Sequence, residues 1–474
     1  MNRITVKGNF RDILAFVRHL RARDRIFGRT APAAFFGAIG SDAGAPAIAR
    51  AATVGALTTA RAAATSAAPA APAAPATPAA PPPMNRLAAA IHPRAFGLEV
   101  TAVRRETAST TTYRLEPVDG ISAGRGSAGV KTAGKVFADA DGLPVFRAGQ
   151  YLTIAVEAGG VICRRPYSIS STPADALDRS FYEITVKRTD PGFIAPFISD
   201  TWKTGTRIQA SGPSGLFYHE PLRDGQTLFC LAGGCVVTPF RSLIPDSLAR
   251  YPESSIVLLY GITEEAELLW GGHFHALENE YAGRFRFMLV CSGDDPGWSG
   301  KRGFIDARLI SECASMIGTK PGECAFFICG PRAMHRFLDV ELAPFGIRPG
   351  RIRRESSGGA NGPGANDRFM NGDAPGAAVY SLTVIDPFGD ELTVPAAGNE
   401  TVLAALERAG TDPPSQCRSG QCGYCRSRLV SGDVVMEMTP EEHLRGADRK
   451  FGYFHPCCAY PRSDLAVTVP PNPR

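Results

Sequence analysis

Residues Cys417 to Cys425 read CRSGQCGYC, and Cys457 follows after 31 intervening residues in HPCCAYPRSDL. This C-x4-C-x2-C spacing with a distant fourth cysteine supplies the four thiolates that hold a 2Fe-2S cluster. Cys417, Cys422, Cys425 and Cys457 are therefore the expected metal ligands. A loop wrapped around sulfide needs unusual backbone angles and amide donors aimed at sulfur, which gives Gly420 and Gly423 a reason. A zinc site would rather show two C-x2-C pairs, and this stretch has one pair and a wider gap.

From Ala378 to Pro470 the chain resembles plant-type ferredoxins, with a strand pair, the helix ETVLAALERAG, the cysteine loop and a closing frame of Cys457, Pro461 and Asp464. The resemblance implies a β-grasp domain over residues 379–470 and selects Cys457 over Cys458. Cys458 reads as a small buried packing residue.

Upstream, residues 356–378 (SSGGANGPGANDRFMNGDAPGAA) are rich in Gly, Asn and Pro without periodicity and read as a flexible linker. The body before it changes character near Phe217. Its first part holds short β-type runs (LEVTAVRRET, TYRLEP, YLTIAVEA, FYEITVKR, TRIQAS) between turn residues, which suggests a small antiparallel β-barrel over 92–220, with Asp119 to Pro144 as a long loop. Its second part, 224–355, alternates apolar strands (TLFCLAGG, SIVLLYGI, FRFMLVCSG, CAFFICG) with helical segments, the signature of a parallel α/β sheet.

Within the barrel, Arg165-Pro166-Tyr167-Ser168 follows an apolar strand, after Gly149-Gln150-Tyr151. An Arg can pair with a flavin phosphate, an aromatic ring can lie on the isoalloxazine, and a Ser hydroxyl can reach its N5 edge. The string is followed in order by EITVKR (183–188), SGPSGLF (211–217), LAGGCVVTPF (231–240) and CGP (329–331). Residues 98–355 thereby resemble the ferredoxin-NADP reductase superfamily. With the cluster domain at the C-terminal side, the architecture is similar to the NADH-dependent flavin and iron-sulfur reductases that feed oxygenases.

The resemblance implies FAD ligands at Arg165, Pro166, Tyr167 and Ser168, with Val186, Lys187 and Gly192 at the flavin pyrophosphate. It places Gly233, Gly234, Thr238 and Pro239 where the nicotinamide nucleotide crosses the sheet, and Cys329, Gly330 and Pro331 beside the nicotinamide ring. Tyr167, Ser168 and Cys329 are the implied catalytic residues. A Gly-rich strand-to-helix turn suits a phosphate approaching backbone amides. Two positions depart from the pattern: Val236 stands where the family has a Gly, and Ala195 where it often has a Ser. FAD rather than FMN follows from the likeness of EITVKR and its loop to FAD-binding members. NADH rather than NADPH follows from Glu264, Glu265, Glu267, Asp294 and Asp295, acids where a 2′-phosphate would call for Arg or Lys.

The 474 residues carry a formal charge of +5, but residues 1–83 hold ten Arg or Lys against three acids, so the extension carries +7 and the remainder −2. No basic stripe supports a nucleic-acid partner. Phe10, Ile13, Leu14, Val17 and Leu20 recur at helical spacing among arginines, giving within extension 1–61 a basic amphipathic helix that suits a partner, an acidic membrane surface or the body itself. In 62–83, 19 of 22 residues are Ala or Pro, a semi-rigid linker. Twelve cysteines in this length, without a secretory pattern or an 18-residue apolar run, suggest a reduced cytoplasmic setting. Cys163, Cys230, Cys235, Cys291, Cys313 and Cys324 read as packing residues, and His273 and His275 as a surface turn.

The expected function is electron transfer from NADH through FAD and the cluster to a protein acceptor such as a terminal oxygenase. An activating reductase for another metalloprotein uses the same chemistry. A different class, a non-catalytic iron-sulfur carrier or assembly protein, follows if Val236 and Ala195 mark a decayed nucleotide module.

Overall fold

Alternation builds the first sheet: β1 (Phe96–Arg105), β2 (Thr110–Ser122), β3 (Tyr151–Ala158), β4 (Val161–Ser168), β5 (Tyr182–Lys187) and β6 (Arg207–Ser214) pair antiparallel in the order β4-β3-β6-β1-β2-β5. Leu98, Val100, Leu115, Leu152, Ile154 and Ile184 are fully buried on its inner face. Gly159 and Gly160, with φ of +61° and +80°, make the two-residue turn that joins β3 to β4. The edge strands approach each other, and a bridge between Ile169 and Ile184 curls the sheet toward the expected barrel. β2 runs to Ser122, so the strand takes in the first residues that read as loop.

The structure is a computed structural model that describes residues 95–122, 143–190, 192–356, 378–386, 389–436 and 444–471. The basic helix, the Ala/Pro linker, most of the loop from 119 to 144 and the interior of the 356–378 linker lie outside the described residues.

The second sheet is parallel throughout, in the order β10-β9-β8-β7-β11-β12, from β7 (Thr227–Gly233), β8 (Ser255–Ile262), β9 (Phe285–Cys291), β10 (Lys301–Arg302), β11 (Ala325–Gly330) and β12 (Ile352–Ser356). Strands β7, β8, β9 and β11 are apolar runs because both faces of the sheet centre are covered, while the edge strands β10 and β12 carry charged residues. Helices α3 (Thr238–Arg250) and α4 (Gly271–Glu280) shield one face through Phe240, Leu243, Phe274 and Leu277. Helices α5 (Ala307–Met316) and α6 (Arg332–Leu342) shield the other through Leu309, Ile310, Leu338 and Leu342. His273 and His275 lie in the first turns of α4 rather than in a surface turn, both exposed beside the buried Phe274. Succession leaves β7 toward β8 on one side and β11 toward β12 on the other, so the topological switch point falls between β7 and β11.

The third sheet is mixed, in the order β14-β13-β19-β15-β17, with β13 (Val379–Ile385) and β19 (Leu465–Thr468) parallel and the other neighbours antiparallel. Its remaining members are β14 (Glu391–Ala397), β15 (Ser427–Ser431) and β17 (Tyr453–Phe454), and β16 (Val434–Met436) pairs β18 (Ala459–Pro461) separately. Helix α7 (Val402–Arg408), the centre of ETVLAALERAG, lays Val402, Ala405 and Leu406 on this sheet. This is the β-grasp arrangement expected from the resemblance. Among the described residues no helix is long and apolar enough to cross a membrane.

Candidate functional site

Arg165, Pro166, Tyr167 and Ser168 close β4, and Val186 and Lys187 close β5. The Ile169–Ile184 bridge brings the two strand ends together, so residues well apart in sequence share one edge of the barrel. Gly192 stands just before helix α2 (Ile194–Thr201); a Cβ there would meet the Thr189 carbonyl oxygen at 2.3 Å, so the turn requires glycine. Ala195 is the second residue of α2 and brings no hydroxyl to this turn. Lys187 Nζ is 2.6 Å from Glu267 Oε1, so this lysine joins the barrel to the parallel sheet.

Gly233 ends β7, and Gly234, with φ +61° and open space around it, begins the 3-10 turn Gly234–Val237 that leads into α3 at Thr238 and Pro239. Val236 sits at φ −83°, ψ 19°, a negative φ that does not require glycine, and Gly234 takes the left-handed angle. The departure at Val236 therefore leaves the turn intact. Cys329 and Gly330 end β11 beside β7, and Pro331 caps α6. A Cβ on Gly233 or Gly330 would meet Met334 Sδ at 2.7 or 2.4 Å, so two bare strand ends pack under Met334.

The two sheets meet at a carboxyl that sequence reasoning missed. Ser168 Oγ donates to Glu355 Oε1 at 2.8 Å, and Glu355 lies in register with Cys329 across β11 and β12. Glu355 as a residue is partly exposed, but its Oε2 is buried and has no partner among the described residues. Burial pushes this carboxyl up to about 7, against the opposing effect of the Ser168 hydrogen bond. Burial also pushes the Cys329 thiol well above its ordinary range, and the Glu355 and Cys235 charges add to the shift. Thr153 Oγ1, on the β3 residue opposite Pro166, is likewise buried without a partner. These orphaned oxygens beside Arg165–Ser168 fit a polar group seated against the strand end, and the open Gly234 turn at a helix N-terminus fits a phosphate.

In the cysteine loop the thiols contact one another, Cys417 with Cys422, and Cys457 with both Cys425 and its neighbour Cys458. A binuclear cluster needs two thiolates for each iron, and Cys417 with Cys422 and Cys425 with Cys457 are near enough to supply them. The amides of Ser419 and Cys422 point at Cys417 Sγ at 3.5 and 3.4 Å, the Tyr424 amide points at Cys422 Sγ at 3.4 Å, and the Gly420 amide faces Cys457. Gly420 and Gly423 carry φ of +79° and +69°. The donor set fits a 2Fe-2S cluster. Cys458 is fully buried next to Cys457, and Cys422 faces an open cleft of about 420 Å³ that Tyr424, Arg426 and His455 also line. Tyr151, buried in the barrel, lies within electrostatic reach of both Cys417 and Glu355.

The chain matches three family models: an oxidoreductase FAD-binding domain over residues 140–219, an oxidoreductase NAD-binding domain over 230–339 and a 2Fe-2S iron-sulfur cluster binding domain over 385–462. It is 28% identical over 323 residues to the ferredoxin reductase component of the 3-ketosteroid-9-alpha-monooxygenase of Mycobacterium tuberculosis (strain ATCC 25618 / H37Rv), covering 67% of this chain and 83% of that protein. It is 26% identical to the glycine betaine monooxygenase reductase subunit of Pseudomonas aeruginosa (strain UCBPP-PA14), covering 68% and 87%. Ferredoxin--NADP reductase B of Sorangium cellulosum (strain So ce56) is 31% identical over 197 residues, 41% of this chain and 78% of that protein. Among solved structures, phthalate dioxygenase reductase superposes with a TM-score of 0.54 at 22% identity, covering 80% of this chain and 98% of its own, which establishes the shared fold.

Proposed function

Because the chain belongs to the ferredoxin-NADP reductase superfamily, with flavin, nucleotide and 2Fe-2S domains in one polypeptide, we propose that it carries electrons from NADH through FAD and the cluster to a protein acceptor, a terminal oxygenase. Nicotinamide supplies two electrons at once and the cluster accepts one at a time, so the flavin between them divides the pair. The observation that carries this reading is the convergence of Ser168, Glu355 and Cys329 where the barrel edge meets the switch point.

Each residue has a task that its surroundings suit. Arg165 and the Gly192 turn hold the flavin phosphates, with Lys187 bracing the wall through Glu267. Tyr167, packed on the barrel core, offers its ring as a fixed platform. Gly233, Gly234, Thr238 and Pro239 admit the nucleotide at the switch point, and Cys329, Gly330 and Pro331 floor the nicotinamide pocket. Glu355, its carboxyl raised by burial to about 7, is fixed at Oε1 by Ser168, which leaves Oε2 as the atom that can take or give a proton. Of the acids past β8 and β9, Glu267 is engaged by Lys187 and Asp295 accepts from the Glu265 amide, while Glu264, Glu265 and Asp294 stand exposed against a 2′-phosphate. The acceptor class rests on relatives described as the reductase parts of two monooxygenases.

Anaerobic addition of NADH to protein loaded with both cofactors tests the reading. Bleaching of flavin and cluster absorbance is expected, with NADPH at least about tenfold less efficient in kcat/KM. An unchanged spectrum refutes the reductase reading.

A further inference from the structure

The strand end that carries the flavin string also carries the cluster domain. Glu407, on the last turn of α7, is 4% exposed and accepts from three directions: Arg418 Nη1 at 2.6 Å, Arg165 Nη1 at 3.1 Å and the Arg164 backbone amide at 3.4 Å. Beside it the Arg164 guanidinium pairs with Asp412. Arg418 follows Cys417 directly and also reaches the Arg164 carbonyl at 3.4 Å, so cluster loop and flavin string touch. Three guanidiniums and two carboxylates form this junction.

The backbone on the cluster side is bent to make these contacts. Four described non-glycine residues have positive φ, and two of them are Asp412 at +46° and Arg418 at +53°. An arginine in the left-handed region is uncommon and is held there against a local preference, a condition that concentrates at functional contacts. A charged, polar contact between domains resembles a transient interface rather than a permanent one, and its strength falls as salt screens it.

We propose that Glu407 and Asp412 form an electrostatic latch that seats the iron-sulfur domain on the Arg164-Arg165 strand end, positioning the Cys417 loop to receive electrons from the flavin. The proposal rests on the reductase reading above. Both acids are positioning residues: they touch neither the cluster nor the nucleotide. Arg165 meets Glu407 and the Arg164 carbonyl through Nη1, so its Nε and Nη2 donors can serve a flavin phosphate without breaking the latch.

The test uses full-length protein loaded with FAD and cluster, in three forms: Asp412→Arg, Arg164→Asp, and both together. Each single variant is expected to slow NADH-driven cluster reduction about tenfold, the change that accompanies a loss of about 1.4 kcal/mol in docking. Small-angle X-ray scattering should show a larger radius of gyration for each. The double variant restores the pair with reversed charges and should recover both speed and dimensions. Glu407→Gln should steepen the effect and remove most of its salt dependence. Cluster absorbance monitors folding, and NADH-ferricyanide turnover monitors flavin reduction independently of the cluster. Normal ferricyanide turnover with unchanged cluster reduction and dimensions in Asp412→Arg overturns the latch. So does a double variant that keeps its cluster yet recovers neither. Absence of flavin reduction in the unaltered protein refutes the reductase reading instead.

Discussion

At the residue scale, Glu355 shows how burial makes an ordinary carboxyl useful near neutrality. Its ordinary value of 4.5 rises to about 7 in the folded chain, so the native state holds this proton more tightly than the unfolded state. Stability from this group is therefore fully present below about 4.5, falls as pH rises toward about 7, and stays lost above it. Glu355→Gln should flatten that slope in a denaturation series across pH. It should also remove an inflection near pH 7 from the pH profile of flavin reduction. Gly149 carries a second prediction: at φ +97°, a Cβ would lie 2.0 Å from the Phe217 carbonyl oxygen, so Gly149→Ala should cost at least about 2 kcal/mol in urea unfolding. Arg165, Ser168 and Cys329 were legible because their neighbours in sequence form strings. Glu355 was not, because RIRRES reads as a solvated, charged strand and only the pairing of β12 with β11 turns that one side chain toward Ser168.

At the scale of elements, the parallel sheet was easiest to read. Runs such as TLFCLAG can be buried on both faces only between layers of helices. The order of those strands, and with it the switch point, depends on long-range pairing that no local pattern carries. The start of α4 misled for a related reason: GGHFH looks like a turn, yet Phe274 and Leu277 at helical spacing pull it onto the sheet. Helix α7 has a legible start, where the buried Thr401 accepts from the Ala404 amide at 3.2 Å. Thr401→Ala should destabilise the cluster domain by about 1 kcal/mol, read as an earlier thermal loss of cluster absorbance. Because α7 holds Glu407 at its other end, the same variant should also weaken seating on the barrel.

At the scale of the whole molecule, three domains share one small region. Ser168 with Glu355 and Lys187 with Glu267 tie barrel to parallel sheet, and the pairs at Arg164 and Arg165 tie barrel to cluster domain. None of these ties could be read from sequence, since each partner lies far along the chain from the residue it meets. Cys422→Ala, which deprives one iron of a ligand, should abolish reduction of a one-electron protein acceptor such as cytochrome c while leaving NADH-ferricyanide turnover within about twofold of normal. The packing thiols carry one more consequence. A protein that keeps a reduced flavin near dissolved oxygen produces hydrogen peroxide, whose target in proteins is the thiolate. Burial raises Cys163, Cys230, Cys313 and Cys324 away from that form, so these sulfurs are small enough to fill the core and too protonated to be spent as peroxide scavengers. The interior is in that sense proofed against the by-product of its own chemistry.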